Sequence, residues 1–367
     1  MDLVCFSHLR WNFVFQRPQH LLGRMAKYQR VFYVEEPYFN EPEDRIEVHM
    51  SNENVLVVTP HTKAGHGTEE AHSFQRNVVH KVWSDYTIRN FGLWYYTPMA
   101  LPFTRHLQPR VTIFDCMDEL SAFRFAPKEL IDFESELFSR ADIVFTGGHS
   151  LYQAKKQKHR NVHAFPSSIE KEHFAKARIC KDEPLDQQDI PHPRFGFFGV
   201  LDERFDIDLV KKVAEKKPDW HFVLIGPVVK IDPETLPRLK NIHYLGQKNY
   251  ADLPSYISGW DIATIPFALN ESTRYISPTK TPEYLAAGKP VISTAIRDVV
   301  TPYGENGLVH IVSSAKEFIE KAEEELNRAD RAAWLEKVDG FLEGNSWDNT
   351  CGAMRKLIEQ KLMGSFN

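Results

Sequence analysis

Ser277-Pro278-Thr279-Lys280-Thr281-Pro282-Glu283-Tyr284-Leu285-Ala286-Ala287-Gly288-Lys289-Pro290-Val291-Ile292-Ser293-Thr294 is the stretch on which the reading of this chain turns. Thr281 is placed to N-cap a short helix, with Pro282 at the first helical position, where its missing N–H costs nothing. Glu283 then falls in the first turn, and Gly288 at the left-handed position that closes a helix. The β-branched run Val291 to Thr294 reads as a buried strand, and Asp261 to Phe267 as another. The order is strand, polar loop, helix, strand. In an open parallel sheet such a loop lies at the carboxyl edge, where ligands bind, and a helix N-terminus attracts anions. Lys280 sits there as a point charge for phosphate, and Glu283 as an acceptor for sugar hydroxyls. The expectation is a nucleotide-diphosphate site that also draws on Ser277, Thr279 and backbone N–H groups near them. An ordinary αβ element with a solvated lysine fits the same residues, so the flanking sequence has to decide.

Upstream the αβ pattern repeats. Phe195 to Val200 reads as a strand, Leu201 to Asp206 as a loop and Ile207 to Lys216 as a helix. Strand Phe222 to Ile225 ends at Gly226-Pro227. Strand Ile242 to Gly246 and helix Tyr250 to Ser258 follow. Lys181 to Pro193 is polar and proline-bearing and reads as an interdomain linker. Before it the pattern occurs again, with strands Leu3 to Ser7, Val31 to Val34, Gly92 to Tyr96, Val111 to Phe114, Ala141 to Thr146 and Val162 to Phe165. Helices are expected at Gln19 to Lys27, at Glu129 to Arg140 and after a Ser150 cap. No G-x-G-x-x-G follows a strand, which argues against a dinucleotide fingerprint. The lead-ins Ser139-Arg140-Ala141-Asp142-Ile143 and Ser258-Gly259-Trp260-Asp261-Ile262 are alike, which suggests two similar Rossmann-like halves. Glu317 to Phe341 alternates Ala, Leu, Trp and Glu at helical spacing with a solvated charged face, and a last helix reads as running from about Thr350 to Leu362.

The length of 367 residues suits two domains, and 42% hydrophobic with 26% charged residues is a globular composition. A net charge of -5 provides no global basic field, so no nucleic-acid partner is expected. Cys5, Cys116, Cys180 and Cys351 are scattered without metal spacing and read as reduced thiols. His61, His66, His72 and His80 fit no zinc pair. Their surroundings read as a mobile loop, and no metal is expected. Met1 to Phe6 lacks the features of a signal peptide, and no apolar run reaches membrane-spanning length. A cytoplasmic location is expected, with peripheral attachment to the inner face of a membrane left open.

Two groups in the first half are candidates for chemistry. In the loop His8 to His20, Phe13 and Phe15 are assigned to the core. Trp11, Arg17 and His20 are harder to bury and are candidate acceptor-binding residues at the carboxyl edge of the first strand. Asp115, Asp118 and Glu119 close a buried strand, where they either cap the next helix or meet substrate hydroxyls and protons.

Taken together these motifs resemble the GT-B glycosyltransferases, and among them the retaining nucleotide-sugar-dependent group 1, or family 4. Pro282 to Ile292 resembles that family's E-A-M-A-x-G-x-P-V-I signature. Gly199 to Asp206 resembles the first loop of its C-terminal domain, which makes Arg204 the diphosphate contact. Leu224-Ile225-Gly226-Pro227 resembles its glycine-bearing strand end, and Asn241 to Gly246 a segment near the base, with Leu245 beside it. Phe165 to Ile169 with Phe174 resembles its crossover segment. Trp11 to His20 with Phe114 to Glu119 resembles a bacterial branch of cell-surface polysaccharide transferases, including a teichuronic-acid type.

The resemblance implies two Rossmann-like domains facing across a cleft, an acceptor domain over residues 1–180 and a donor domain over 191–345, with 346–367 crossing back to the first. It implies transfer of a sugar from a nucleotide-diphosphate donor to a glycan or lipid-linked hydroxyl acceptor, with retention, without a metal or other cofactor. Donor contacts would be Gly199, Arg204, Gly226, Pro227, Leu245, Tyr275, Ser277, Thr279, Lys280 and Glu283. The family often has two glutamates; Glu283 fits the second, which binds ribose hydroxyls, and Tyr275 stands at the first. Its N-domain histidine is absent, with Asp115 or Asp118 in that region as catalytic candidates. A nucleotide-sugar epimerase or a non-catalytic sugar- or partner-binding protein would suit the same donor site. Oligomeric state is not legible.

Overall fold

The apolar runs of the second half become a six-stranded sheet. Its strands, in a computed structural model that describes residues 1–364, are numbered here with those of the first half. They are β10 (Arg194–Phe198), β11 (His221–Ile225), β12 (Ile242–Gly246), β13 (Ile262–Ile265), β14 (Val291–Thr294) and β15 (His310–Val312). Their spatial order is β12-β11-β10-β13-β14-β15, and every neighbouring pair is parallel. This is the doubly wound arrangement, in which strand order reverses between the first strand and the fourth. Helices cover both faces, so the strands are buried on both sides and carry apolar residues continuously. The core includes Phe195, Val223, Ile257, Tyr284 and Phe318. Gly196, in β10, lets the Trp260 indole lie flat on the strand: a Cβ there would sit 1.8 Å from a ring carbon. Gly196→Ala is expected to cost at least about 2 kcal/mol through overpacking, read as a lower urea midpoint with unchanged slope.

The first half gives a nine-stranded sheet: β1 (Asp2–Ser7), β2 (Val31–Glu35), β3 (Tyr38–Glu41), β4 (Arg45–Met50), β5 (Val55–Lys63), β6 (Phe91–Tyr95), β7 (Thr112–Cys116), β8 (Ile143–Thr146) and β9 (Val162–Ala164). The order is β3-β5-β2-β1-β6-β7-β8-β9, with β4 antiparallel on β5. Here the reversal falls between β1 and β6.

Several sequence expectations need correction. The stretch around His61 to His80 is not a mobile loop. β5 extends through Lys63, with His61 buried and stacked on Tyr38. A helix then spans Thr68–Asp85, anchored by Ala71, Gln75, Val78, Val79 and Val82 on one face. Ala71, Val78, Val79 and Val82 hold helical spacing across a polar surface, which the histidines obscure. The stretch of helical spacing from Glu317 to Phe341 forms two helices, Ala315–Leu326 and Arg331–Phe341, with a break at residues 327–330. The last helix starts earlier, at Trp347, and runs to Gly364. The buried Trp347 indole stacks on His20, with ring centroids 4.7 Å apart.

The chain divides into two units. The first holds Met1–Ser121, Phe125–Pro166 and the helix from Trp347; the second holds Ala122–Arg124 and Ser167–Ser346. The segment 181–193 is therefore no free linker. Gln187 is fully buried, accepts from Trp260 Nε1 at 3.0 Å and donates to the Tyr256 carbonyl at 2.8 Å. Asp186 accepts from Tyr256 and Lys248. Ile169, Phe174, Ala177 and Ile190 all enter the second core. Polar composition suggested solvent, but these polar groups find fixed partners on the second unit, and the change of unit falls near Pro166.

Candidate functional site

The site of the second unit is built on the carboxyl ends of β10, β11 and β13. Gly199 and Gly226 end the first two with φ of +141° and +143°. The chain needs glycine at both places. A Cβ on Gly226 would lie 1.9 Å from the Gly199 carbonyl oxygen, and one on Gly199 would lie 2.4 Å from Lys280 Cε. Gly199 N–H donates to the Ile225 carbonyl, Gly226 N–H to that of Gly246, and Leu201 N–H to that of Pro227. Bare backbone is thus presented at the point where strand order reverses, the position at which ligands enter doubly wound sheets.

From β13 the chain passes through a loop into the helix Lys280–Ala286. Its start differs from expectation. Thr279, not Thr281, occupies the cap position, and Thr281 Oγ1 is buried with no hydrogen-bond partner among the described residues. Pro282 is tolerated two residues inside because the first four N–H groups of a helix have no intrahelical acceptor anyway. The end is as expected. Gly288, at φ +72°, donates to the Leu285 carbonyl, and Lys289 N–H to that of Tyr284, the paired closure of a Schellman motif.

Lys280 runs past Gly199 and sets its ammonium 5.5, 5.9 and 5.7 Å from the ring centroids of Phe197, Phe198 and Phe267. Among the described residues, no hydrogen bond or ion pair to Nζ is found. Burial lowers its pKa, Glu283 and Asp202 counteract, and Arg204 adds to the lowering. Glu283 is 4% exposed, and among the described residues its Oε2 has no hydrogen-bond partner. Burial raises its carboxyl above the usual range, against the pull of Lys280 and the Thr279 hydroxyl. Cation and carboxylate therefore stand near each other with unfilled bonding capacity. Arg204 is fixed by Asp202 through Nε–Oδ1 at 3.0 Å and Nη2–Oδ2 at 2.7 Å. Its guanidinium lies 5.6 Å from the Phe123 ring centroid, with Lys230 Nζ 5.3 Å from the same ring.

Of the candidate donor residues, Gly199, Arg204, Gly226, Pro227, Lys280 and Glu283 converge on these strand ends. Ser277 presents its carbonyl to the Ser167 hydroxyl at 2.8 Å. Tyr275 is half-buried, with Arg274 over its ring at 5.3 Å. Leu245 is half-buried at the end of β12, against the core. Asp202, Phe123, Lys230 and Tyr284 also shape the site and were not singled out from sequence. Asp202 was legible as an acid two residues from Arg204; Phe123 carried no local signal, because it comes from a distant segment.

The first unit corrects the other candidates. Trp11, Arg17 and His20 are not left exposed; they are 4%, 4% and 2% exposed. Phe13, assigned to the core, is the exposed one at 41%. Arg17 donates to Asp115 through Nε and Nη2 at 3.0 and 2.9 Å, and through Nη1 to the Phe165 carbonyl at 2.8 Å. Trp11 N–H donates to Glu35 at 2.7 Å and its indole to Glu53 at 3.1 Å. Asp115 is fully buried and accepts from two nitrogens of Arg17. Asp118 is half-buried and accepts from the Cys116 thiol through its carbonyl. Among the described residues no cluster of three or more His, Cys, Asp and Glu is placed to hold a metal ion, and no helix is long and apolar enough to cross a membrane.

Two doubly wound parallel sheets, the second with a cationic and carboxylate site at its switch point, define the GT-B class of fold. Residues 192–328, within the second unit, match the family Glycosyl transferases group 1. TuaH of Bacillus subtilis (strain 168), named as a glycosyltransferase of teichuronic acid biosynthesis, is 27% identical over 198 residues, 50% of this chain and 50% of that protein. The match thus spans about half the length of that relative. Similar solved structures include a sucrose-phosphate synthase (tll1590) from Thermosynechococcus elongatus, at TM-score 0.70 and 14% identity over 99% of both chains. A UDP-forming α,α-trehalose-phosphate synthase from Burkholderia vietnamiensis reaches TM-score 0.71 at 12% identity, over 100% of this chain and 99% of that one. Alr3699/HepE of Anabaena, in complex with UDP and glucose, reaches 0.69 at 12% identity, over 97% and 99%. At such identities the likeness concerns the fold.

Proposed function

We propose that this protein transfers a sugar from a nucleotide-diphosphate donor to a hydroxyl acceptor. The observation that carries the reading is the Lys280 ammonium, half-buried at the switch point and, among the described residues, with no anionic partner bonded to it, beside the Glu283 carboxyl whose Oε2 is unsatisfied. A half-buried cation near a carboxylate but not bonded to it keeps its hydrogen-bonding capacity unfilled, which suits a ligand that brings its own negative charge. As the bond from the anomeric carbon to the diphosphate breaks, charge grows on the leaving oxygens. Lys280 and Arg204 would stabilise that charge from fixed positions, so a divalent ion is not required. Glu283 would accept from a donor hydroxyl, in keeping with a ribose. Retention of anomeric configuration belongs to the same reading. The similarity to TuaH supports an acceptor in bacterial surface polysaccharide synthesis, either a glycan or a lipid-linked one. Work in the cytoplasm or at the inner face of a membrane fits such a task.

Tyr275, at the position where a second carboxylate was expected, gives specific support to an altered chemistry on the same donor. An epimerase would convert donor alone, whereas a transferase needs an added hydroxyl; product analysis by NMR separates them. Thermal-shift measurements with UDP-, GDP-, dTDP- and ADP-sugars test the common premise. One donor at about 100 times its Kd should add about 2.7 kcal/mol of stability. The proposal is lost if none of the four raises the melting temperature.

A further inference from the structure

Tyr284 lies one residue beyond Glu283, fully buried, on the helix that carries Lys280. Its hydroxyl accepts the backbone N–H of Phe198 at 3.0 Å. The place of that bond is unusual. β10 pairs with β13 only through Phe195–Ile262 and Gly196–Ala263; beyond Gly196 the two strands part, which is what opens a crevice at a switch point. Phe198 is the last residue of β10. Its N–H takes the Tyr284 hydroxyl as acceptor in place of a ladder carbonyl, so a part-buried donor that strand divergence would leave without a strand partner is satisfied by a side chain.

The ring is held from two sides. Phe198 meets it edge-on at 5.1 Å, and Trp260 at 5.8 Å with planes 73° apart. Trp260 is in turn seated over Gly196 and fixed by Gln187. One residue past Phe198, Gly199 packs against the Lys280 side chain. The hydrogen bond therefore joins the strand end to the helix at the place where lysine and bare backbone meet.

We infer that Tyr284 is a positioning residue of the donor site. It sets the distance between the Phe198–Gly199 strand end and Lys280, and so the fit to the diphosphate rather than to the nucleoside. The inference rests on the proposed donor reading. A phenylalanine keeps the packing and removes only the acceptor, after which the Phe198 amide needs a water and the strand end is free to shift against the helix.

The test compares UDP, GDP, dTDP and ADP with their monophosphates by calorimetry, on the full chain. Wild type should prefer one diphosphate over its monophosphate by tenfold or more. Tyr284→Phe should bind the monophosphate as wild type does and lose most of the diphosphate advantage, about fivefold to tenfold in Kd. A simple loss of folded protein would reduce both ligands' stoichiometry instead. If Tyr284→Phe keeps the full diphosphate preference, the inference is overturned while the donor reading stands. If wild type binds none of the diphosphates, both fail together. Should the variant not fold, hydrogen exchange on wild type decides. The Phe198 amide should be protected as strongly as its neighbours in β10, and free exchange there overturns the inference.

Discussion

Lys280→Ala should lower the transfer rate about 100- to 1,000-fold, about 2.7–4 kcal/mol of transition-state stabilisation, as for a lost oxyanion donor. The size follows from where the ammonium sits. It lies against three aromatic rings and beside Gly199, where little water screens it, so its attraction for a leaving diphosphate is larger than at a surface. Arg204 cannot take its place fully, since Asp202 already balances part of that charge. The effect should fall mainly on kcat, because the charge on the diphosphate is greatest as the glycosidic bond breaks. Burial pushes the lysine pKa down to about 8 in the ligand-free site, and the protonated form is the one that binds. Donor affinity should therefore be full at neutral pH and fall as pH rises above about 8, with a proton taken up on binding. An unperturbed lysine would hold its proton to about pH 10. Isothermal titration of the nucleotide sugar from pH 6.5 upward checks both points. A rate unchanged in Lys280→Ala, or an affinity that stays flat through pH 9, would remove Lys280 from the site.

Asp115→Ala should destabilise the first unit by about 3–5 kcal/mol, because it leaves the Arg17 guanidinium buried without a counter-charge. Both side chains are almost wholly enclosed, at 5% and 0% exposed, 2.9 Å apart. The pair's own contribution is smaller than that figure, since desolvation offsets most of the attraction. A double replacement, Arg17→Met with Asp115→Leu, should accordingly recover much of the loss. Urea unfolding followed by circular dichroism measures all three. The same experiment separates a structural aspartate from a catalytic one. If Asp115→Asn retained its stability and lost transfer per folded molecule by 100-fold or more, the structural assignment would be wrong.

These two residue sets show how unevenly the site was legible. Around Lys280 the information is local. A helix of seven residues closed by Gly288, between two β-branched runs, places its own first turn at a strand end, and the lysine goes with it. Even so the cap was misplaced by two residues, because Pro282 is acceptable at any of the first helical positions and does not by itself mark the start. Around Arg17 the local information misled. A charged or amphipathic residue in a polar loop is usually exposed, and nothing near it in sequence announces Asp115, 98 residues on. Phe13 and Trp11 exchanged their expected places for the same reason. The indole had Glu53 to receive its N–H, which allowed it inside.

The boundary between the units follows the same logic. Polar, proline-bearing segments read as linkers when their partners are unknown, yet Gln187 and Asp186 are tied to Tyr256, Trp260 and Lys248 across the second unit. The histidine-bearing stretch before β6 likewise reads as a loop from its composition, while Val78, Val79 and Val82 carry a helix stripe.

By itself the sequence determined the alternation of apolar strands and amphipathic helices, the tandem halves, and the loop-helix unit with Lys280 and Glu283 near its start. Those features depend on periodicities and turn residues a few positions apart, and such interactions are written in consecutive residues. Tertiary structure alone decided that Arg17 closes on Asp115, that Phe123 lies under Arg204, and that Tyr284 bonds the strand end where β10 leaves β13. Each of these brings together groups from separate segments. Whether such a group is paired, buried or left for a ligand depends on what the folded chain sets opposite it, which no local pattern records.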